Sequence, residues 1–269
     1  MTSTFKLGIS LLFIYFLFFG LGLIDFPASW NIKVVDSKKY IAHFCAGSQL
    51  DAKKVAKANV DSLSLTKFRY PFIRDPVTYD TIRDRVLLIG DSQVEGLKSA
   101  VSTYCEVNNH DLVASVIYYG ASTLQFGTNN KLQEHIDKFK PTVVIFVIGL
   151  NELFVKDLSD RADYVKRIVQ VFEKNKVRYI WVGPAAWTKD NGIINLMKEN
   201  VGDCFFPSHT LTLQRASDKR HPSKSASKLW FDEVASWADS LRIINLSVPV
   251  DTVSKNKMGK VILLNANKD

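Results

Sequence analysis

Cysteine is scarce in this chain: three in 269 residues, at Cys45, Cys105 and Cys204. No two stand in a CxxC pair, and none has a histidine at ligand spacing, so a structural zinc site is excluded. An odd count leaves at least one thiol unpaired whatever disulfide forms. There is no internal repeat and no low-complexity tract, which excludes solenoid and linker architectures. The formal net charge is +8. The basic residues are nevertheless spread out, without the aromatic interleaving or fold signature of a nucleic-acid binder, and no nucleic-acid partner is expected. A solvated basic surface, or attraction to an anionic membrane or acidic polymer, accounts for the charge.

Charge is also missing from one long run. Leu7 to Ile24 carries none and consists almost wholly of Leu, Ile, Phe, Tyr and Gly. At about 1.5 Å of rise per residue it approaches the length that crosses a bilayer core. Two readings compete, a cleaved signal peptide and an uncleaved anchor. The Phe26-Pro27-Ala28-Ser29 stretch makes a poor cleavage site, because a cut after Ala28 puts Phe26 at −3. An N-terminal transmembrane helix within 1–27 is therefore expected, with the N-terminus in the cytoplasm and the bulk exported to the periplasm or cell envelope. Residues 28–84 read as a lead-in, with a short helical candidate at Asp51 to Ala58.

From Arg85 onward, apolar β-runs alternate with amphipathic helical segments. Strands are expected at Arg85–Ile89, Leu112–Tyr119, Val143–Ile148 and Val177–Val182, with a short one at Cys204–Phe206. Helices are expected at Gln93–Ser102, Asn129–Phe139, Asp160–Asn175, Asn191–Glu199 and Ser223–Leu241. The alternation predicts an α/β three-layer sandwich with a parallel central sheet over 85–248. The lysine-rich residues 249–269 read as a C-terminal tail with no assigned structure.

Four short stretches fall at strand ends or just before the last helix: Gly90-Asp91-Ser92, Gly120, Gly149-Leu150-Asn151 and Asp218-Lys219-Arg220-His221. The carboxyl ends of parallel strands share one edge, so all four can converge there. Ser92 offers a hydroxyl that needs a base, and the His221 imidazole is the natural one. Asp218, three residues earlier, can hold the other ring N–H. The backbone N–H groups of Ser92 and Gly120, with the Asn151 amide, supply donors for an oxyanion. Singly, each block has a blander reading as a turn, a helix cap or surface. Together they form the parts list of acyl transfer, which requires no cofactor and no metal. His43, His110, His135 and His209 lack such company and read as structural or surface residues. Trp181 and Trp187 flank a Gly-Pro turn on the same edge, where core packing and stacking on a sugar ring are both open.

These blocks resemble the SGNH (GDSL-type) hydrolase family, whose name residues match Ser92, Gly120, Asn151 and His221 in order. Gly90-Asp91-Ser92 is similar to the family's first block, and Gly149-Leu150-Asn151-Glu152 to its Gly-x-Asn-Asp. Asp218-Lys219-Arg220-His221-Pro222 is similar to its Asp-x-x-His-Pro. Tyr118-Tyr119-Gly120 departs from the family's Asn-x-Gly, and Glu152 replaces an Asp. The resemblance implies a flavodoxin-like SGNH hydrolase fold with a Ser92-His221-Asp218 triad and an oxyanion hole at Ser92, Gly120 and Asn151. With an anchor it implies a serine esterase or O-acyltransferase acting on O-acyl, above all acetyl, groups of an extracytoplasmic polysaccharide. A membrane-bound acyltransferase would then be a partner. A lipase or thioesterase acting on lipid acyl esters, and a non-catalytic glycan-binding or assembly protein, are the alternatives.

Overall fold

The computed structural model describes residue 79 and residues 81–248 and 260–266. The expected transmembrane run Leu7–Ile24, the helical candidate Asp51–Ala58, Cys45 and His43 lie outside the described residues. Among the described residues, no helix is long and apolar enough to cross a membrane.

Six parallel strands form the sheet, in the order β5-β4-β3-β1-β2-β6. They are β1 (Arg85–Gly90), β2 (Asp111–Tyr119), β3 (Val143–Val147), β4 (Arg178–Val182), β5 (Phe205–Phe206) and β6 (Lys260–Asn265). Between them run α1 (Gln93–Val107), α2 (Thr123–Thr128), α3 (Lys131–Phe139), α4 (Arg161–Lys174), α5 (Ile193–Val201) and α6 (Lys224–Ser240). The continuous apolar runs of β1 and β3 follow from burial on both faces. Val86 and Leu88 point into a core with Val94, Leu97 and Val101 of α1 and Trp230, Phe231 and Val234 of α6. Leu87 and Ile89 point into the opposite core, with Ile136 of α3, Ile168 and Phe172 of α4 and Met197 of α5. The result is the expected three-layer α/β sandwich. Its first five strands follow the 2-1-3-4-5 order of flavodoxin-like sheets, in which chain direction across the sheet reverses between β1 and β3.

Two boundaries differ from the sequence reading. Residues 249–269, read as a tail with no assigned structure, supply β6, which pairs with β2 from Ala114↔Lys260 to Tyr119↔Asn265. Its alternating Ile262 and Leu264 pack on the core under β2, whereas Val261 and Leu263 stay exposed. At the other end, Asp84 was placed in the lead-in 28–84 but is completely buried. It pairs with the Arg178 guanidinium and accepts a 2.7 Å hydrogen bond from Thr142 Oγ1. The Tyr79 hydroxyl also donates to Asp239, at 2.5 Å, and to the Ile244 carbonyl, at 3.0 Å. These contacts close the amino-end edge of the sheet, opposite the chemistry. Removing one partner of a buried ion pair strands the other's charge. Arg178→Met should therefore lower unfolding stability by about 3–5 kcal/mol, read from urea denaturation.

The remaining differences are local. The 123–128 stretch forms the extra helix α2, closed by a capping box between Ser122 and Gln125. Trp181 is wholly buried against Phe146, with ring centroids 4.8 Å apart, and is a core residue. His110 is buried, with Nδ1 accepting from the Asp84 N–H at 3.1 Å and Nε2 2.6 Å from the Asn245 carbonyl oxygen. His135 is buried against the Phe139 ring, and His209 is exposed. Cys105 and Cys204 are free thiols.

Candidate active site

Ser92 follows β1 directly and opens α1, whose first turn presents backbone N–H groups toward the sheet edge. The turn depends on a close approach between strands. The Asp91 N–H donates to the Val147 carbonyl at 2.9 Å, and a Cβ on Gly90 would lie 1.8 Å from that same oxygen. Only glycine lets β1 and β3 meet this tightly.

His221 arrives from the far side, on a tight turn before α6. Arg215 and Pro222 form an antiparallel bridge, and the Ala216 N–H donates to the His221 carbonyl at 2.8 Å. Arg215 fixes this turn to the loop after β4. Its guanidinium donates to the Ala185 and Ala186 carbonyls at 2.9 and 2.6 Å and to the Arg220 carbonyl at 3.1 Å. Gln93 holds the same loop from the α1 side through both atoms of its amide, at 3.4 and 3.3 Å from the Ala185 backbone.

The three expected acyl-transfer side chains form one hydrogen-bonded line. Ser92 Oγ lies 2.8 Å from His221 Nε2, and His221 Nδ1 lies 2.6 Å from Asp218 Oδ2. Asp218 Oδ1 accepts from the N–H groups of Arg220 and His221 at 2.9 and 3.0 Å. The bond from His221, with help from those two N–H groups, holds the Asp218 carboxyl down at about 2. It is thus ionised at any pH near neutrality.

Gly120 and Asn151 sit on the loops after β2 and β3, the strands on either side of β1. Asn151 Nδ2 donates to the Ala121 carbonyl at 2.7 Å, so the two loops join across the carboxyl end of β1, where Ser92 stands. Gly120 has a φ of +77° while a Cβ there would meet only Ala266 at 4.0 Å. Backbone conformation, and not space, therefore selects glycine.

Two further residues hold this bridge and received no role from sequence. Asp91 accepts from the Gln93 N–H at 2.9 Å and from the Leu150 N–H at 3.1 Å, tying the α1 turn to the β3 loop. Burial pushes its carboxyl up to about 7, against the pull of those two N–H groups and of His221. Glu152 is fully buried, accepts from the Thr123 N–H at 2.9 Å and from its hydroxyl, and pairs with Arg161 at 3.3 Å. Through these bonds Glu152 ties the turn after β3 to the start of α2. Polar residues flanking the motif were the only signal of these roles in the sequence.

Beside Ser92 and His221 opens a cleft of about 600 Å³, lined further by Glu95, Lys98, Tyr119 and Lys224. Tyr119 donates to Glu95 at 2.8 Å. Among the described residues, no Leu, Ile, Val, Met or Phe side chain lines the cleft. Neither Gly120 nor Asn151 lines it, although Tyr119, the residue before Gly120, does. Among the described residues, no group of three or more His, Cys, Asp or Glu side chains is placed to hold a metal ion.

No family model matches the chain, and no curated protein matches it by sequence. Among solved structures it is similar to the acetyl xylan esterase AlAXEase, at 16% identity and a TM-score of 0.44, over 56% of this chain and 98% of that one. It is also similar to a Clostridium thermocellum family 3 carbohydrate esterase, at 15% identity and a TM-score of 0.43, over 60% of this chain and 98% of that one. A third likeness is to BT4096, a gut microbial diltiazem-metabolizing enzyme, at 14% identity and a TM-score of 0.37, over 60% of this chain and 49% of that one. At these identities and TM-scores none of the likenesses decides the reaction, and the site has to be read from its own geometry.

Proposed function

We propose that the protein is a serine esterase or acyltransferase of the SGNH type that removes or transfers O-acyl groups, chiefly acetyl, on a polysaccharide. The reading is carried by the unbroken line Ser92 Oγ–His221 Nε2, His221 Nδ1–Asp218, at 2.8 and 2.6 Å. Ser92 Oγ attacks the acyl carbonyl carbon while His221 Nε2 takes its proton, and the Asp218 carboxylate stabilises the imidazolium. The carbonyl electron pair moves onto oxygen, facing the Ser92 and Gly120 N–H groups and the Asn151 amide. Asn151 Nδ2 carries two N–H bonds, and its bond to Ala121 uses one. When the tetrahedral intermediate collapses, His221 returns the proton to the departing sugar oxygen. Water or a second sugar hydroxyl then attacks the acyl-enzyme by the same route in reverse, giving hydrolysis or transfer.

The cleft favours this chemistry over a lipase or thioesterase. Long acyl chains need contiguous aliphatic side chains, and among the described residues no Leu, Ile, Val, Met or Phe lines this cleft, beside which stand Glu95, Lys98 and Lys224. A non-catalytic assembly role gives no reason for a continuous chain of bonds from Ser92 through His221 to Asp218. The uncharged run Leu7–Ile24 supports a membrane-anchored protein with its catalytic unit outside the cytoplasm, beside a membrane-bound acyltransferase if the reaction is transfer. Paired assays on p-nitrophenyl acetate and octanoate test the acyl preference. Acetate should be turned over at least about tenfold faster, the loss that a missing apolar pocket imposes on a long chain. Faster octanoate turnover would return the lipid reading.

A further inference from the structure

Phe154 is 61% exposed, the most exposed of the large hydrophobic residues among those described. It lies three residues after Asn151, on the same loop. Its ring meets Trp187, on the loop after β4, edge-on at 5.7 Å between centroids. The Arg220 guanidinium, on the residue before His221, stands 5.7 Å from the centroid of the same Trp187 ring. Three loops at the carboxyl edge thus build an exposed aromatic ring, a second ring that props it and a cation at the rim. The group adjoins the histidine turn and is separate from the polar cleft on the α1 side, whose lining includes none of the three.

Exposed aromatics of this size, grouped and rimmed by polar residues, mark ligand contacts. The composition selects the ligand. A single ring with a guanidinium beside it suits a flat amphipathic molecule with a C–H face and a polar rim, which describes a pyranose. The ring's negative face attracts the axial C–H groups, and the five N–H donors of Arg220 meet the hydroxyls. A lipid chain would need several aliphatic neighbours, whereas Phe154 meets the Trp187 ring, over which the Arg220 guanidinium stands.

We propose that Phe154, buttressed by Trp187 and rimmed by Arg220, is a sugar-binding subsite that holds a ring of the acylated glycan next to the ester. This rests on the acyl-glycan reading above. The test uses the full chain with p-nitrophenyl acetate and with acetylated xylo-oligosaccharide, and compares the parent protein with Phe154→Ala and Phe154→Tyr. Phe154→Ala should lose about tenfold in kcat/KM on the oligosaccharide, mainly through KM, an effect of the size of one aromatic contact. It should stay within about twofold on the nitrophenyl ester, which carries no pyranose C–H face or hydroxyls for the subsite to hold. Phe154→Tyr, which keeps the ring, should restore the loss.

Equal losses on both substrates, or no loss on the oligosaccharide, would overturn the subsite. So would a loss confined to p-nitrophenyl octanoate, which would make Phe154 an acyl contact. A parent protein that hydrolyses the nitrophenyl ester but neither deacetylates nor binds the oligosaccharide overturns the subsite and leaves the esterase reading standing. A parent inert toward the nitrophenyl ester overturns the esterase reading instead. Tryptophan-fluorescence titration with the oligosaccharide, lost in Phe154→Ala, would then still support the subsite, and an unchanged titration would reject it.

Discussion

Ser92→Ala and His221→Ala should each lower kcat on p-nitrophenyl acetate by about 10⁴-fold or more, and the double variant should be no worse than either single one. The non-additivity is the decisive part. Once Ser92 Oγ is gone, the imidazole 2.8 Å away has no proton to take. Once the imidazole is gone, the hydroxyl is a weak nucleophile. What would survive in all three variants is the proposed donor set of Gly120, Asn151 and the α1 turn, polarising the acyl carbonyl while water attacks it. Multiplicative losses, or activity unchanged in either single variant, would mean that the two side chains are not one catalytic unit. Asp218 adds a pH signature. Held at about 2 by His221 and two backbone N–H groups, it stays ionised through mild acid. A fall in rate between about pH 7 and pH 5 therefore cannot come from protonating Asp218.

The second large effect is on folding. Gly90→Ala should leave little soluble protein, with a destabilisation above about 4 kcal/mol in whatever is recovered. The new Cβ would sit 1.8 Å from the Val147 oxygen, 2.6 Å from its carbonyl carbon and 2.9 Å from its nitrogen. All three are backbone atoms of the adjacent strand, so no side-chain rotation relieves the clash. Separating β1 from β3 would sacrifice their ladder and the Asp91–Val147 bond that launches the Ser92 turn. Gly96→Ala is the control. Its Cβ would meet Ser227 Oγ at 2.7 Å, the mobile end of a side chain, and alanine is the better helix former. Circular-dichroism melts of the two variants should differ sharply, and similar melting temperatures would remove the strand-contact explanation.

Much of this was legible because the relevant signals are local. The apolar runs of β1 and β3 can only be buried strands, and Gly90-Asp91-Ser92 marks a strand end whatever lies around it. The pairing of Asp218 with His221 needs only a tight turn, and the three-residue spacing showed it. Non-local relations were hidden. Nothing near Val261–Leu264 indicates that this short run, beyond lysine-rich sequence, pairs with β2. The burial of Asp84 depends on Arg178, far along the chain. Helix α2 was missed because Thr123–Thr128 has too few apolar positions to show a helical period. The supporting roles of Asp91, Arg215 and Glu152 rest largely on bonds to groups distant in the chain (Leu150, Ala185, Ala186, Thr123), and one-dimensional spacing carries no trace of such bonds. Trp187 was ambiguous from sequence, whereas Trp181 proved to be core. Trp181 lies inside the apolar run of β4, and Trp187 on the loop that follows it.

Ser92 and His221 are 129 residues apart in the chain. Their contact forms only after β1 has been zipped between β2 and β3 and α6 has docked behind it, so it belongs to the high-contact-order part of assembly. Reactivity of Ser92 toward a fluorophosphonate probe therefore serves as a clock for the last stage of folding. In a refolding time course, labelling should lag behind the return of helical circular dichroism, because secondary structure forms before the two distant turns can meet.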